Sequence, residues 1–334
     1  MLRFIIRRLL QLIPILLGLS VLLFAWLRAL PGGPAQAALG ERATAEDIAR
    51  YNELFGLDQP LYVQYLRFLG RAVQLDFGTS NRTGRAVTTE FLERFPGTIE
   101  LTLFAMVFAI GVGIPLGYLA ARRYGGFLDS SSVIGSLLGV SIPVFFLAYL
   151  MRLVFAVELG WLPGSGRQEV RIDATRITNF YVLDGLMTRE WDAAWSAFVH
   201  LILPGIALGT IPLAIIVRIT RASVLDVVNE DYVRTANAKG LATATVRRRH
   251  IIRNALLPVS TTIGLQTGLL LSGAVLTETV FAFGGVGSAL RDAITNRDFP
   301  VLQGFILMLA VVYVVVNLLV DISYGLLDPR VRVR

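Results

Sequence analysis

Long apolar stretches separated by shorter polar segments dominate the chain. Six of them approach or exceed the length needed to cross a bilayer, at about 9–29, 98–121, 130–157, 198–220, 259–282 and 301–326. A helix rises about 1.5 Å per residue, so roughly 20 apolar residues span the hydrocarbon core. Several stretches contain Gly and Pro, which spanning helices tolerate because neighbouring helices satisfy the freed backbone groups. The pattern predicts an all-α integral membrane protein with six transmembrane helices.

The polar segment at 30–97 carries amphipathic patterns of its own. Thr44 before an acidic turn is typical of a helix N-cap, and Gly56 is placed to end that helix in the left-handed conformation. Pro60 begins a second amphipathic pattern, and Val87 begins a third, which we expect to stop at Pro96 and the glycine after it. The segment therefore predicts short amphipathic helices packed at the rim of the membrane.

The overall composition agrees with a membrane protein. Hydrophobic residues make up 54% of the chain and charged residues only 16%, with a mean hydropathy of +0.64, whereas soluble domains carry about 25% charged residues. The net charge of +7 could indicate nucleic-acid binding. However, the excess of Arg lies beside the predicted spans, where membrane topology explains it. We therefore expect no nucleic-acid partner.

Arginine and lysine also predict the orientation. The segments 1–8, 122–129, 221–258 and 327–334 have more than twice the density of these residues found in the other connections, which places them and both termini in the cytoplasm. The N-terminus resembles a signal peptide, but its apolar run is longer than usual, so we expect a retained first span. Three regions follow: 1–29, an extracytoplasmic loop over 30–97, and a core of five spans over 98–334 that includes a cytoplasmic loop at 221–258.

Several kinds of chemistry lack the residues they require. There is no cysteine, which excludes disulfides and Cys-based metal sites. Lys239 is the one lysine and Gly240 follows it, so a Gly-Lys-Ser/Thr phosphate loop cannot exist here. His200 and His250 do not form a zinc-binding motif, and Ser165, a conceivable hydrolase nucleophile beside His200, falls in a predicted outer turn. We therefore expect no catalytic residue, no metal site and no cofactor bound by this chain.

The cytoplasmic loop contains a compact helix pattern. Glu230 and Asp231 lie where a helix N-terminus favours negative charge, basic residues come later, and Gly240 is placed as a left-handed stop. This predicts a helix of about ten residues. Thr243 is placed to cap a second, basic helix that ends before Pro258 and suits the inner leaflet surface. Such a loop is a candidate docking surface for a soluble partner, although a simple positive-inside anchor would have a similar composition.

A few polar side chains fall within the predicted spans. Gln266 and Thr267 lie between glycines spaced four apart, a spacing that lets helices pack closely. Glu278 lies near the outer end of its span, either lining a polar cavity or ending the helix in the headgroup zone. We regard these three as candidates for the translocation pathway. Arg152 is interpreted as reaching the interface rather than contacting substrate.

The cytoplasmic loop and the spans around it resemble the membrane subunit of a bacterial binding-protein-dependent ABC importer, specifically the B-type permease of the dipeptide/oligopeptide/nickel family. The loop motif of this family is Glu-Ala-Ala, three further residues, Gly, and a stretch that ends in Leu-Pro. In this chain Arg234-Thr235-Ala236 takes the first three places, Gly240 the glycine and Leu257-Pro258 the end. Further similar motifs are Gly56-Leu57-Asp58-Gln59-Pro60-Leu61, Gln64-Tyr65-Leu66, Gly160-Trp161-Leu162-Pro163, His200-Leu201-Ile202-Leu203-Pro204, Glu278-Thr279-Val280-Phe281, Arg297-Asp298-Phe299-Pro300-Val301 and Asp328-Pro329-Arg330. Gly33 and Gly284 depart from the usual Asp and Pro of the family.

The resemblance implies a type I ABC importer permease in the bacterial inner membrane. It implies a second homologous permease, two cytoplasmic ATPase subunits that bind ATP and Mg, and an extracytoplasmic substrate-binding protein, with alternating access driven by the ATPases. The residues that it assigns to ATPase coupling are Glu230, Asp231, Tyr232, Arg234, Thr235, Ala236, Lys239, Gly240 and Leu241, with the small Ala236 allowing close approach to the ATPase. Dipeptides, longer peptides, nickel chelates and other small solutes remain open as substrates.

The alternative is a stand-alone channel or an ion-coupled transporter. Such a protein needs its own means of energy coupling, and the predicted spans contain no chain of carboxylates that would carry protons or sodium ions.

Overall fold

The computed structural model describes residues 2–29, 33–40 and 43–327. The helices in chain order are α1 (Leu2–Ala29), α2 (Gly33–Leu39), α3 (Ala45–Phe55), α4 (Leu61–Val73), α5 (Val87–Arg122), α6 (Phe127–Ser141), α7 (Val144–Met151), α8 (Tyr181–Met187), α9 (Trp191–Val228), α10 (Asp231–Ala238), α11 (Thr243–Thr245), α12 (Arg253–Val280), α13 (Val286–Thr295) and α14 (Phe299–Leu327). One π-helix, Arg152–Glu158, continues α7, and another, Val246–Ile252, joins α11 to α12. Within the described ranges, extended pairing is limited to one bridge between Thr79 and Ala86. The predicted all-α class is confirmed.

Length and apolar composition mark α5, α9 and the Phe299–Leu318 part of α14 as candidate membrane spans. Two bent pairs, Phe127–Ser141 with Val144–Glu158 and Thr243–Leu270 with Ala274–Val280, raise the number to five if each pair is one span. The first predicted span corresponds to a shorter apolar helix, Ile13–Ala29, within α1. The count of six therefore stays a prediction.

The third predicted span, 130–157, is not one continuous helix. Its two halves meet at an angle of 103°, at Ile142 and Pro143. Ile142 is extended, with φ −81° and ψ 124°, because a proline ring disfavours helical backbone in the residue before it. The apolar run continues across the break, and so hydropathy alone gives no sign of it.

Three other expectations about helix ends are wrong. Helix α5 continues through Pro96 and α12 contains Pro258, although both prolines were expected to mark helix ends. Thr243 lies inside α11, whose N-cap is Ala242 with no side-chain hydrogen bond. The apolar sequence continues past each proline, and packing within a helical bundle offsets the loss of a single backbone hydrogen bond.

The chain divides into two compact units. The first comprises Met1–Pro96 and Gly284–Leu318. Its core brings together apolar side chains of α1, α4, α5, α13 and α14, and the Phe91 ring lies edge-on to the Phe305 ring at 5.3 Å between centroids. Next to this core, the buried Ser80 hydroxyl donates to Asp298 Oδ2 at 2.6 Å, which ties the turn after α4 to the start of α14.

The predicted caps in this first unit are confirmed. Thr44 and Asp47 form a reciprocal capping box, and Gly56 ends α3 with a φ of +64°. Helix α4 buries Gln64 and Phe68, and Leu61 at its start is exposed. After α4 the chain makes a tight turn, in which the Gly78 N–H donates to Asp76 Oδ1 at 2.9 Å.

The second unit comprises Gly97–Phe283 and Leu319–Arg334. Helix α9 is 38 residues long and more than half buried in its most apolar window, and it packs against α5, α6, α7, α8 and α12. Two glycines of α5 permit its approach to α9: a Cβ at Gly113 would lie 2.9 Å from Ile216 Cγ2, and one at Gly117 would lie 2.6 Å from the Val217 carbonyl oxygen. The small-residue spacing in this span therefore serves helix packing.

Candidate coupling surface and polar sites

Helix α10 has the ends that its sequence predicts, although it is shorter than expected at 8 residues. Glu230 is its N-cap, in an extended conformation, and the acidic Asp231 opens the first turn. At the other end Gly240 has a φ of +73°. The Gly240 N–H donates to the Asn237 carbonyl at 2.9 Å and the Leu241 N–H to the Ala236 carbonyl at 3.3 Å. These two bonds form a Schellman motif, which commonly ends a helix at a glycine in the left-handed conformation.

Two residues of α10 face inward. Val233 is 2% exposed and Ala236 5%, and both pack with Val246 of the second π-helix. The interpretation that Ala236 allows close approach to an ATPase stays a prediction, and the structure places this small side chain against the chain's own π-helix. Its spacing of three from Val233 places both on one helix face, and that spacing was a signal available in the sequence.

The other predicted coupling residues form an exposed surface, which we call the α10 surface. It consists of Glu230, Asp231, Tyr232, Arg234, Thr235, Lys239, Gly240 and Leu241. Its two acidic and two basic side chains balance, and Arg234 Nη1 lies 3.4 Å from Asp231 Oδ1. Both partners of this ion pair are largely exposed, so it contributes little to stability. The structure thus leaves eight of the nine predicted coupling residues exposed, on α10 and at its two ends.

Packing connects the α10 surface to two long helices. Val227 of α9 and Ile251 of the second π-helix lie against the α10 cluster of Val233, Ala236 and Val246. The same two side chains also pack against a second cluster formed by Ala121, Val224 and Ala255. A hydrogen bond from Asn254 Nδ2 to the Tyr232 hydroxyl oxygen, at 3.1 Å, adds a direct link to α12. A displacement of α10 would therefore act on α9 and α12 through direct contacts, and on α5 through Val227 and Ile251.

An ion pair ties the same end of α9 to α6. The Arg221 guanidinium holds both carboxylate oxygens of Asp129, with Nη2 2.9 Å from Oδ2. The Gly125 N–H also donates to Asp129 Oδ2 at 2.9 Å. Residues 122–129 and 221 were both predicted on the cytoplasmic side, and the contact is consistent with a shared side.

The three candidates for the translocation pathway have different environments. Glu278 is fully buried in the described structure and accepts a hydrogen bond from the Thr98 hydroxyl at 2.6 Å. It therefore does not line an open cavity in this conformation. Gln266 and Thr267 are half-buried, and the Thr267 hydroxyl donates to the Ile263 carbonyl of its own helix at 2.9 Å. The structure does not bring the three together into one site.

Arg152 also has a different contact from the one expected. Its Nη1 donates to the Val280 carbonyl at 2.7 Å, where the last turn of α12 leaves carbonyl groups without helical partners. The arginine therefore joins the first π-helix to the end of α12. His200 is similarly engaged, because its Nδ1 lies 2.7 Å from the Ser196 carbonyl oxygen.

The connection between the first π-helix and α9 is held to α5 by buried polar contacts. Arg167 Nη2 donates to Glu100 Oε2 and to the Asn179 carbonyl, both at 2.8 Å, and the Val182 N–H donates to Glu100 Oε1 at 2.9 Å. Asp184 is fully buried in the same connection. Burial raises the pKa of Asp184, but hydrogen bonds from the Thr178 hydroxyl and from nearby backbone N–H groups hold its pKa below the usual value overall.

Most of the chain matches one known family of membrane transport components. Residues 113–333 match the family described as "Binding-protein-dependent transport system inner membrane component", and residues 1–102 match its N-terminal companion. The chain belongs to this family. It is therefore the membrane permease component of such a transport system and a multi-pass protein of the inner membrane.

Several relatives match the chain over almost their whole length. The chain is 46% identical over 332 residues to the "Dipeptide transport system permease protein DppB" of Alkalihalophilus pseudofirmus, covering 99% of this chain and 100% of the relative. It is 47% identical to the "Di/tripeptide transport system permease protein DppB" of Pseudomonas aeruginosa, covering 99% of both. It is also 40% identical to the "Glutathione transport system permease protein GsiC" of Escherichia coli, again over 99% of both.

A solved structure supports the fold of this permease component. The MetNI methionine ABC transporter in inward-facing conformations contains a chain that matches with a TM-score of 0.51, covering 70% of this chain and 93% of that one, at 15% identity. That likeness concerns the fold alone. The family sequence pattern led to the α10 surface, whereas the inward anchors Val233 and Val246 and the Asp129–Arg221 pair were found only in the structure.

Proposed function

We propose that the chain is one permease subunit of an ATP-driven importer for short peptides, and that the α10 surface is where ATPase subunits drive it. Three full-length relatives are named as carriers of dipeptides, di/tripeptides or glutathione, and these compounds share a peptide backbone. We further propose a second homologous permease, two ATPases that hold ATP and Mg, and an extracytoplasmic binding protein. Both termini and the α10 surface then face the cytoplasm.

The observation that carries this proposal is the construction of α10. Eight of the nine predicted coupling residues are exposed on it and at its two ends, while its inward face is anchored by Val233. A partner protein can therefore bind the exposed face without unfolding the loop. Movement of the partner is transmitted through Val227 and Ile251 to α9 and α12, because packed side chains shift together rather than deform. The polar Gln266 and Thr267 of α12 are the candidates for lining the path that this movement opens.

The absence of cysteine from the sequence makes a clean test available. Asn237→Cys places a thiol on exposed α10, and Arg189→Cys places one on the exposed turn after α8. In right-side-out vesicles a membrane-impermeant maleimide should label the variant at 189 and leave the one at 237 unlabelled, and inverted vesicles should give the opposite result. Labelling of residue 237 from outside would overturn the topology.

Reconstitution tests function and substrate. In proteoliposomes that contain the co-purifying subunits, uptake of a radiolabelled dipeptide should require ATP, and a thiol at 237 should crosslink to an ATPase subunit. The purified chain alone should hydrolyse no ATP. ATP-independent uptake would favour a channel or an ion-coupled carrier, and ATP-dependent uptake of other solutes alone would reject the peptide assignment.

A further inference from the structure

The first unit contains a large cavity that the proposed transport role does not use. Its volume is about 810 Å³, within the range of ligand-binding sites. The end of α1, helices α2 to α4, the turn after α4 and the start of α14 supply its walls. We propose that this cavity binds the headgroup of an anionic glycerophospholipid from the surrounding membrane.

Three guanidinium groups line the cavity, from Arg28, Arg67 and Arg71, and its lining residues include no Asp or Glu. In the described part of the chain none of the three forms an ion pair, whereas Arg85 in the same unit pairs with Glu93. Arg67 and Arg71 are one turn apart on α4, a spacing at which like charges destabilise a helix. A phosphate between them would remove that repulsion and accept charge-assisted hydrogen bonds.

Arg28 is held in place before any ligand arrives. Its Nε and Nη2 donate to Gln64 Oε1 at 3.0 and 2.8 Å, and its guanidinium lies 3.5 Å from the centre of the Phe24 ring. Gln64 is fixed in turn, since its Nε2 donates to the carbonyls of Leu57 and Gln59 at 2.9 and 2.7 Å. Such preorganisation lowers the cost of binding an anion.

A second groove begins at the same arginine. It measures about 480 Å³ and runs between α1 and α4, lined by Val21, Phe24, Ala25, Arg28, Ala29, Leu61, Tyr62 and Tyr65. Arg28 therefore stands in the wall of both spaces. The stretch of α1 from Val21 to Ala29 is about 12 Å long, and its groove is apolar apart from Arg28 and the tyrosine hydroxyls. This arrangement suits a molecule with an anionic head and an acyl chain, because the head meets the arginines while the chain follows the spanning helix.

Exposed apolar side chains at the cavity favour a lipid over a soluble anion as its ligand. Leu54 is 74% exposed and Phe55 60% exposed, and both line the basic cavity. Large apolar side chains left open around a basic cavity are expected where the surrounding medium is partly hydrocarbon. Inorganic phosphate or a soluble phosphate ester would gain nothing from them.

The test compares lipid retention by the whole chain purified in detergent, read by native mass spectrometry after addition of phosphatidylglycerol or phosphatidylcholine. The wild type should retain phosphatidylglycerol preferentially. Replacing both Arg67 and Arg71 by Gln should lower this retention by about tenfold or more, because two charge-assisted contacts are lost. The control replaces Arg50 and Arg82 by Gln, which removes the same charge from exposed positions outside the cavity.

A second pair of variants keeps the charge and tests the groove. Ala25→Trp should fill the space beside α1 and lower phosphatidylglycerol retention, whereas Leu22→Trp, on the same helix but outside the groove, should not. The proposal would be overturned if the Arg67/Arg71 variant and the Arg50/Arg82 control lost phosphatidylglycerol retention equally. It would also be overturned if the wild type retained phosphatidylcholine as well as phosphatidylglycerol. Glycerol phosphate competing as strongly as the lipid would overturn it too. Unchanged lipid retention with weakened capture of the binding protein would assign the arginines to an acidic protein surface instead.

Discussion

Substitution of Gly240 tests whether the shape of α10 couples the permease to its ATPases. Gly240 has a φ of +73°, and a Cβ built on it would meet nothing within 4 Å. The cost of a side chain there is therefore conformational, about 1–2 kcal/mol for an ordinary residue and more for a β-branched one. Relief of this strain requires the Gly240 and Leu241 N–H groups to move, which weakens the two Schellman hydrogen bonds that end α10.

Coupling of ATP hydrolysis to transport should be strongest with the native Gly at position 240 and should weaken in the order Asn, Ala, Val. Asn comes first because it tolerates the left-handed region better than other side chains. The assay measures ATP-dependent dipeptide uptake and transport-stimulated ATPase activity in the same proteoliposomes. Gly240→Val should lower both while the protein still inserts into the membrane. Gly84→Val is the matched control, because Gly84 has a φ of +69° and equally open surroundings in the other unit. Wild-type coupling in Gly240→Val, or an equal defect in Gly84→Val, would refute the reasoning.

The remaining predictions concern stability, measured as the thermal midpoint of the purified chain. Ala236→Leu should destabilise by about 1–3 kcal/mol through overpacking, whereas Ala238→Leu, on the exposed face, should have almost no effect; equal effects would contradict the inward orientation. Gly117→Ala should destabilise because its Cβ would lie 2.6 Å from a carbonyl oxygen, whereas Gly111→Ala meets nothing within 4 Å and should not; equal midpoints would contradict that close approach. The folded pKa of Asp184 lies below its ordinary value of 3.8, so its contribution should be complete above pH 3.8 and lost as the pH falls through the folded pKa. Asp184→Asn should remove that acid-dependent part, and an unchanged pH profile would contradict the assignment.

Local signals predicted the ends of the short helices well. Thr44 and Gly56 around α3, and Glu230 and Gly240 around α10, act within a few residues of chain, so their positions follow from neighbouring sequence. The spacing of Val233 and Ala236 indicated one shared helix face, but it did not indicate what that face packs against. The contact with Val246 joins α10 to the next helical segment of the loop and was found only in the structure.

Prolines show why the span boundaries were harder to predict. Pro96 and Pro258 lie inside continuous helices, while Pro143 accompanies a bend of 103°. The residue type is the same, and the outcome depends on which neighbouring helices satisfy or replace the lost backbone contacts. Burial of Glu278 likewise depends on Thr98 from a distant part of the chain, so sequence alone left its role between two alternatives.

The balanced charge of the α10 surface has a consequence for how partners assemble. Glu230 and Asp231 offset Arg234 and Lys239 on α10 itself, so the positive field around it comes mainly from the exposed Arg248 and Arg249 of the adjoining π-helix. Salt screens that field beyond a Debye length of about 10 Å at 0.1 M. We expect rising ionic strength to slow the arrival of an acidic partner, and the lifetime of the complex to depend on close fit around Tyr232 and Leu241.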